Sequence, residues 1–211
     1  MKYINQREYP DMKYITVTDK PGDAYGTTTT VKSSACGLCS AIMVLDRLYP
    51  DREFSFTIED AVQLSYECKA NHGPGTDASI FMPVFAEKFN LNYESTNDIE
   101  KLKENLMYGG AAVALVGSRA DEGYTAVFTF IEHFICITSL LKDGRFAVLD
   151  PNLYDGKFEE ADRAGKVQVA GNIVLCPQKI LEEDTLKIVR RTEAEPEKYH
   201  SKAYHLFSRK F

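Results

Sequence analysis

The stretch SSACGLCSAIMVLDRLYP (residues 33–50) decides the fold that we expect for this chain. Its apolar side chains recur at the three- and four-residue spacing of an α-helix until Pro50 ends it, and Ser33 or Ser34 can cap the first turn. Cys36 therefore falls in that first turn. The positive end of the helix dipole and unpaired backbone N–H groups stabilise a thiolate there and lower the pKa of the thiol. This position makes Cys36 a candidate nucleophile.

The rest of the first half also has helical spacing. Thr57 begins a segment with a capping-box pattern, in which Asp60 stands at the third position of the helix. Asn97 can cap another segment, which a pair of glycines ends. Residues 1–33 lack this spacing and are rich in threonine and turn residues, so we expect an N-terminal arm there. The expected helices are 57–70, 77–90 and 97–108, and a short strand of the arm is expected at Lys13–Thr18.

After Gly110 the pattern changes to β-branched and aromatic runs bounded by glycine, aspartate and proline, which predicts strands. Helices followed by strands, rather than alternating with them, indicate an α+β domain whose sheet is antiparallel. A further helix is expected at Gln178–Val189, and residues 190–211 form a charged tail that the pattern does not place. The expected strands are 111–116, 125–130, 133–141, 145–149 and 166–176.

Length and composition limit the class of protein. A chain of 211 residues can form one well-cored domain, so we expect residues 1–211 to be a single domain. The formal net charge of −6 and the lack of a stripe rich in lysine and arginine argue against nucleic acid as a partner. The sequence has no apolar run of membrane-spanning or signal-peptide length, which predicts no membrane span and a cytoplasmic location. A secreted or surface location stays open if a leader has been trimmed.

The five cysteines lack the spacing of a disulfide framework. Their number is odd and they are scattered along the chain, so at least one is a free thiol. Cys68, Cys136 and Cys176 stand in apolar contexts, where cysteine packs as a small hydrophobic residue. No second ligand pair at a metal spacing follows Cys36 and Cys39, so we expect no metal, and the sequence implies no cofactor.

His133 and Asp150 lie near the same end of a predicted hairpin. His133 begins the run HFICITSL, and the return strand ends at Asp150 after a turn around Asp143 and Gly144. If those two residues formed a tight two-residue turn, Asp150 would lie opposite Ile137, on the face of His133 but about 13 Å away along the strand. A His–Asp dyad therefore requires a wider turn or a β-bulge that shifts the register, and we predict such a shift.

Two motifs of the chain stand in a familiar order. The first is YG (residues 25–26) followed by TVKSSACGLCSAIMVL (residues 30–45), and the second is EHFICI (residues 132–137) followed by DP (residues 150–151). Together they resemble the C39-like peptidase family of the papain-like cysteine peptidase superfamily, over residues 1–155. The resemblance implies a papain-like fold in which the helical half carries Cys36 and the antiparallel sheet carries His133 and Asp150. It also implies a peptide or protein substrate.

The chain departs from the family pattern at several positions. Glu132 replaces the glycine that usually precedes the histidine, and Thr30 stands where papain-like enzymes place the glutamine of the oxyanion hole. In relatives with an inserted polar segment this glutamine lies further upstream, which makes Gln6 the candidate for the oxyanion hole. Glycine, proline and a small residue are common in the family at the positions occupied here by Ala35, Leu38 and Cys39.

The residues and the resemblance together predict a cysteine peptidase-like hydrolase that cleaves a peptide or related amide bond. In the implied mechanism Cys36 is the nucleophile, His133 the general base and Asp150 the group that orients the imidazole. A catalytically impaired C39-like binding module is an alternative, and the departures at Thr30 and Glu132 favour it.

A thiol-disulfide redox protein is a second alternative, because Cys36-Gly-Leu-Cys39 has the C-x-x-C shape before a helix. That class of protein requires an apolar strand directly before the motif, whereas residues 27–34 are polar. The remaining histidines are expected at the surface and without a role; they are His72, His200 and His205.

Overall fold

The computed structural model describes residues 2–14, 29–51, 55–72 and 75–210. It combines helices with antiparallel sheet, so the α+β class with an antiparallel sheet is confirmed. The α-helices are α1 Val31–Ser34, α2 Cys36–Leu48, α3 Ile58–Glu67, α4 Ala78–Lys88, α5 Ile99–Met107 and α6 Gln178–Ala194. The strands are β1 Asn71–His72, β2 Gly75–Thr76, β3 Leu91–Thr96, β4 Ala111–Gly117, β5 Glu132–Leu140, β6 Phe146–Leu149, β7 Gln168–Ala170, β8 Ile173–Cys176 and β9 Tyr204–Arg209.

The larger sheet has the strand order β3-β9-β4-β5-β6-β8-β7, and each neighbouring pair is antiparallel. β9 lies between β3 and β4, so the tail that the sequence pattern does not place supplies an interior strand. His205 of β9 is fully buried, and its predicted surface position is wrong. The structure describes the backbone of His72 but not its side chain, and His200 is exposed as expected.

The cysteine-bearing helix begins one or two residues later than the serines suggest. Ser33 accepts a hydrogen bond from the backbone N–H of Thr30 at 2.9 Å and belongs to the short helix α1. Ala35 interrupts the helical path, and α2 then begins at Cys36 without a side-chain cap. The prediction of a serine cap for this helix is therefore wrong. Because no capping side chain occupies the first turn of α2, its backbone N–H groups stay available to Cys36.

The caps of the later helices agree in part with the sequence pattern. Thr57 and Asp60 form the expected capping box at α3, with the Asp60 carboxylate accepting from the Thr57 backbone N–H at 2.8 Å. Asp98 rather than Asn97 caps α5. Asn97 instead accepts from the backbone N–H of Ala203 at 3.0 Å and so fixes the chain where it enters β9. Of the expected strand Lys13–Thr18, residues 15–18 lie outside the described residues.

Residues 125–130 form a loop rather than the expected strand. The backbone N–H groups of Val127 and Phe128 donate to the carboxylate of Asp184, at 2.8 and 3.2 Å. The hydroxyl of Tyr124 donates to the same carboxylate at 2.6 Å. The buried Asp184 side chain of α6 thus accepts hydrogen bonds from backbone N–H groups that would pair with a neighbouring strand if this segment were part of the sheet. The expected strand 166–176 is also divided, because Gly171 makes a turn at positive φ between β7 and β8.

We expect Asp184→Ala to lower the free energy of unfolding by about 3 kcal/mol, because it leaves two backbone donors and a hydroxyl unsatisfied in a buried site. Chemical denaturation measures the loss. Asp184→Asn keeps one acceptor oxygen and should lose less, and Glu193→Ala on the exposed side of α6 should lose almost nothing. Equal losses for the alanine and asparagine variants at position 184 would contradict the anchoring role.

Candidate active site

Cys36 begins α2, which packs against β4 and β5 and so brings the thiol to the start of β5. The thiol is partly exposed. Its sulfur accepts from the backbone N–H of Phe134 at 3.5 Å, and the backbone N–H of Gly37 also donates to it. The imidazole of His133 lies beside the same thiol and acts on its charge. The arrangement surrounds the sulfur with donors, which favours the thiolate.

The imidazole of His133 lies between Cys36 and Asp150. Its Nε2 is 2.8 Å from Oδ1 of Asp150, and both side chains are buried. Because Asp150 occupies Nε2, the other ring nitrogen is the one available to the thiol. This pair fixes the tautomer that accepts a proton from sulfur, with Nε2 protonated and Nδ1 as the base.

A register shift brings the two side chains together. β5 and β6 pair with an irregularity between Ile137 and Ser139, and the turn is closed by the backbone N–H of Leu141 donating to the carbonyl of Arg145 at 2.8 Å. The structure therefore contains both the wider turn and the bulge that the sequence requires. Beyond the bulge Cys136 pairs with Leu149. If this register continues by one residue, Asp150 lies opposite Ile135 rather than opposite Ile137. This leaves two residues, roughly 7 Å of strand, for the side chains to span.

The pKa values of the three groups depend on one another. Burial opposes the thiolate of Cys36, but the neighbouring His133 outweighs it and lowers the pKa of the thiol. Burial likewise opposes an imidazolium, yet the charges of Cys36 and then Asp150 raise the pKa of His133 to about 9. These directions both favour a thiolate–imidazolium pair over the neutral thiol and imidazole.

Gln6, the candidate for the oxyanion hole, lines the same cavity as Cys36. Gln6 is buried and begins a short 3₁₀ helix, Gln6–Glu8. The backbone N–H of Gln6 donates to the carbonyl of Pro151 at 2.7 Å and so fixes this helix. Its side-chain amide donates to the carbonyl of Lys32 at 2.6 Å. The amide nitrogen has a second N–H group, and Gln6 lines the same cavity as Cys36 and His133.

Sequence reasoning missed two residues that bind Asp150. Lys157 lies in the segment after β6, and its Nζ is 2.5 Å from Oδ2 of Asp150. Tyr3 donates its hydroxyl to the backbone carbonyl of Asp150 at 2.7 Å. A lysine in a polar loop and a tyrosine in an N-terminal arm are usually exposed, so neither position carried a signal that could have singled it out.

A cavity of about 720 Å³ opens over Cys36. Gln6, Cys36, His133 and Asn152 form one part of its lining, and the chain after α6 forms another. Ile131 and Phe130 are exposed on the loop before His133, beside this opening. The sulfur is therefore accessible from this cavity.

The other expectations concern cysteines, metals and membranes. All five cysteines lie within the described residues as thiols, and burial raises the pKa values of Cys39, Cys136 and Cys176. Among the residues that the structure describes, no cluster of histidine, cysteine or acidic side chains could hold a metal ion. No described helix has the length and apolar character needed to cross a membrane.

No family model matches this chain, and no curated protein matches it. Among solved structures it is similar to the crystal structure of a protein from Bacillus anthracis that is named a putative C39-like peptidase. The two chains are 10% identical with a TM-score of 0.49, and the match covers 95% of this chain and 96% of the other.

Proposed function

We propose that this protein is a cysteine peptidase-like hydrolase of papain-like type that cleaves a peptide or related amide bond. The observation that carries the proposal is the position of His133, which lies beside the Cys36 thiol and hydrogen-bonds Asp150 through Nε2 at 2.8 Å. Cys36 and His133 line a cavity large enough for a peptide segment, and Asp150 lies buried behind the imidazole. This is the arrangement of a nucleophile, its base and the group that orients the base.

In the proposed reaction His133 holds the proton of Cys36, and the thiolate attacks the carbonyl carbon of the scissile amide. The imidazolium then donates that proton to the departing amine, which leaves an acyl group on sulfur. A water molecule, deprotonated by His133, attacks the thioester and releases the acid. Asp150 stays ionised throughout and stabilises the imidazolium.

The oxyanion of each tetrahedral intermediate requires hydrogen-bond donors. The uncapped first turn of α2 offers backbone N–H groups next to Cys36. The free N–H of the Gln6 amide is the proposed side-chain donor. Removing one such donor typically costs about 10²- to 10³-fold in kcat.

A binding module without full activity is the second candidate. The observation that favours it is the short hydrogen bond from the Gln6 amide to the carbonyl of Lys32, which holds that amide in place. If the held amide cannot turn toward an oxyanion, the hole lacks one donor. The fold and the cavity would then serve recognition of a peptide without efficient cleavage.

Alkylation by iodoacetamide across pH tests the proposal without a known substrate. We expect Cys36 to react as a thiolate well below pH 8.5, because His133 stabilises the charged sulfur. A second increase is expected near pH 9, where His133 loses its proton. Cys68 is the internal control, since it is partly exposed but its pKa is raised by burial, and it should react only at alkaline pH. Ordinary thiol titration of Cys36 would reject the hydrolase and favour the binding module.

A further inference from the structure

Lys157 is a buried lysine that the proposed Cys–His–Asp reaction does not use. Lys157 is 2% exposed. Its Nζ donates to Oδ2 of Asp150 at 2.5 Å and to the carbonyl of Asn152 at 3.2 Å. An ammonium group in such a site is costly unless it is paired and hydrogen-bonded. A loop that only had to connect β6 to β7 would not require this charge in the interior.

The hydrogen bonds of Asp150 divide between its two oxygens. Oδ1 accepts from Nε2 of His133 and from the backbone N–H of Asn152, each at 2.8 Å. Oδ2 accepts from Lys157. The carboxylate is fully buried, so its ionised form and its rotation depend on these donors. Lys157 is the only full positive charge among them when His133 is neutral.

We propose that Lys157 is a positioning residue of the site, which keeps Asp150 ionised and turned so that Oδ1 faces His133. This inference rests on the proposed function. Lys157 does not contact the substrate; it orients and stabilises Asp150, which in turn orients the imidazole of His133.

Lys157 also balances the charge of the buried cluster. With Cys36 as thiolate and His133 as imidazolium, the negative charge of Asp150 would leave the cluster at −1, and Lys157 as an ammonium makes it neutral. Burial lowers the pKa of Lys157, and the Asp150 carboxylate opposes that shift. Burial opposes the ionised form of Asp150, and Lys157 is the largest of the influences that nevertheless hold its pKa far below the usual range. Other titratable groups also face this cluster; Tyr3 faces Asp150, Arg7 and Arg163 face Lys157, and Tyr14 and Cys39 face Cys36.

The test replaces Lys157 by methionine, which keeps the length of the side chain and removes the charge. Loss of a nearby positive charge makes the His133–Asp150 pair hold its proton more tightly and makes the Cys36 thiolate less stable. We therefore expect both steps of the iodoacetamide profile of Cys36 to move to higher pH by about one unit. We also expect a loss of hydrolytic kcat/KM of roughly 10²-fold, from misplacement of the imidazole.

Arg163→Met is the matched control. Arg163 is equally buried on the same segment, but it binds Glu160 and lies over the ring of Phe130 at 4.0 Å rather than touching Asp150. Its loss should lower stability and leave both alkylation steps near their wild-type pH. If Lys157→Met also leaves the steps in place, Lys157 is structural and the inference fails. A wild-type profile without an early thiolate step would instead reject the proposed function itself.

A second pair of variants covers the case in which Lys157→Met does not fold. Asp150→Asn and the double variant Asp150→Asn/Lys157→Met are compared by the rate at which iodoacetamide labels Cys36 at pH 7. The double variant has neither buried charge and so avoids an unpaired ion. If Lys157 acts through Asp150, its removal does not slow labelling further in this background. A further tenfold decrease would overturn the inference.

Discussion

Replacing Cys36 with alanine is expected to reduce turnover on the order of a millionfold, down to background. The variant keeps His133, Asp150 and the donors of α2, but it has no atom that can form the acyl intermediate. Alanine keeps the Cβ atom of this partly buried residue and removes only the sulfur, so the fold should be retained. Cleavage of a mixture of internally quenched peptides, together with thermal unfolding, measures both quantities.

Cys39→Ala is the matched control for this substitution. Cys39 lies one helical turn after Cys36, but it is fully buried and burial raises the pKa of its thiol. We expect it to lose some stability and to keep its activity within a few-fold. Undiminished hydrolysis by Cys36→Ala would reject Cys36 as the nucleophile. Equal loss in both variants would instead favour the redox alternative, in which the two thiols act as a pair.

The helices could be predicted from the sequence because their signals are local. The spacing of apolar residues in α2 and the capping box at Thr57 each depend on neighbours within a few positions. The errors at the starts of α2 and α5 are of one or two residues. Asp98 rather than Asn97 caps α5, because the side chain of Asn97 binds the backbone of Ala203, a residue more than a hundred positions away.

The errors in the sheet have a different cause, because strand pairing depends on distant residues. The alternating segment Leu91–Thr96 pairs only with β9, which comes from the end of the described chain. The run at 125–130 has the composition of a strand, but Asp184 binds its amides. A pattern read along one segment includes no information about such partners.

The candidate site was accessible to sequence reasoning where it depended on motif order and helix position. Cys36, His133, Asp150 and Gln6 line or adjoin the same cavity, although their catalytic roles stay predictions. Lys157 was not accessible in this way. Its burial follows from the path of the loop between β6 and β7, and that path has no periodic pattern.

Asp150→Asn is expected to lower kcat/KM by roughly 10³- to 10⁴-fold and to destabilise the folded protein by about 3 kcal/mol. The carboxylate has two acceptor oxygens, which serve three donors from His133, Asn152 and Lys157. An amide has a single acceptor oxygen. If that oxygen faces Lys157, the NH₂ group faces Nε2 of His133 and favours the tautomer that carries its proton toward Cys36. Such an imidazole cannot accept the proton of the thiol.

Two measurements distinguish the expected loss of kcat/KM in Asp150→Asn from simple misfolding. Because the folded protein holds the pKa of Asp150 below its unfolded value, the carboxylate stabilises the fold above pH about 4, and this contribution is lost as pH falls toward the folded pKa. The variant should therefore show a weaker decline of stability between about pH 4 and pH 2. The addition of Lys157→Met frees the amide oxygen for His133, so we expect part of the activity to return. A double variant that is less active than Asp150→Asn would contradict the idea that Lys157 and His133 compete for the single acceptor oxygen of the amide.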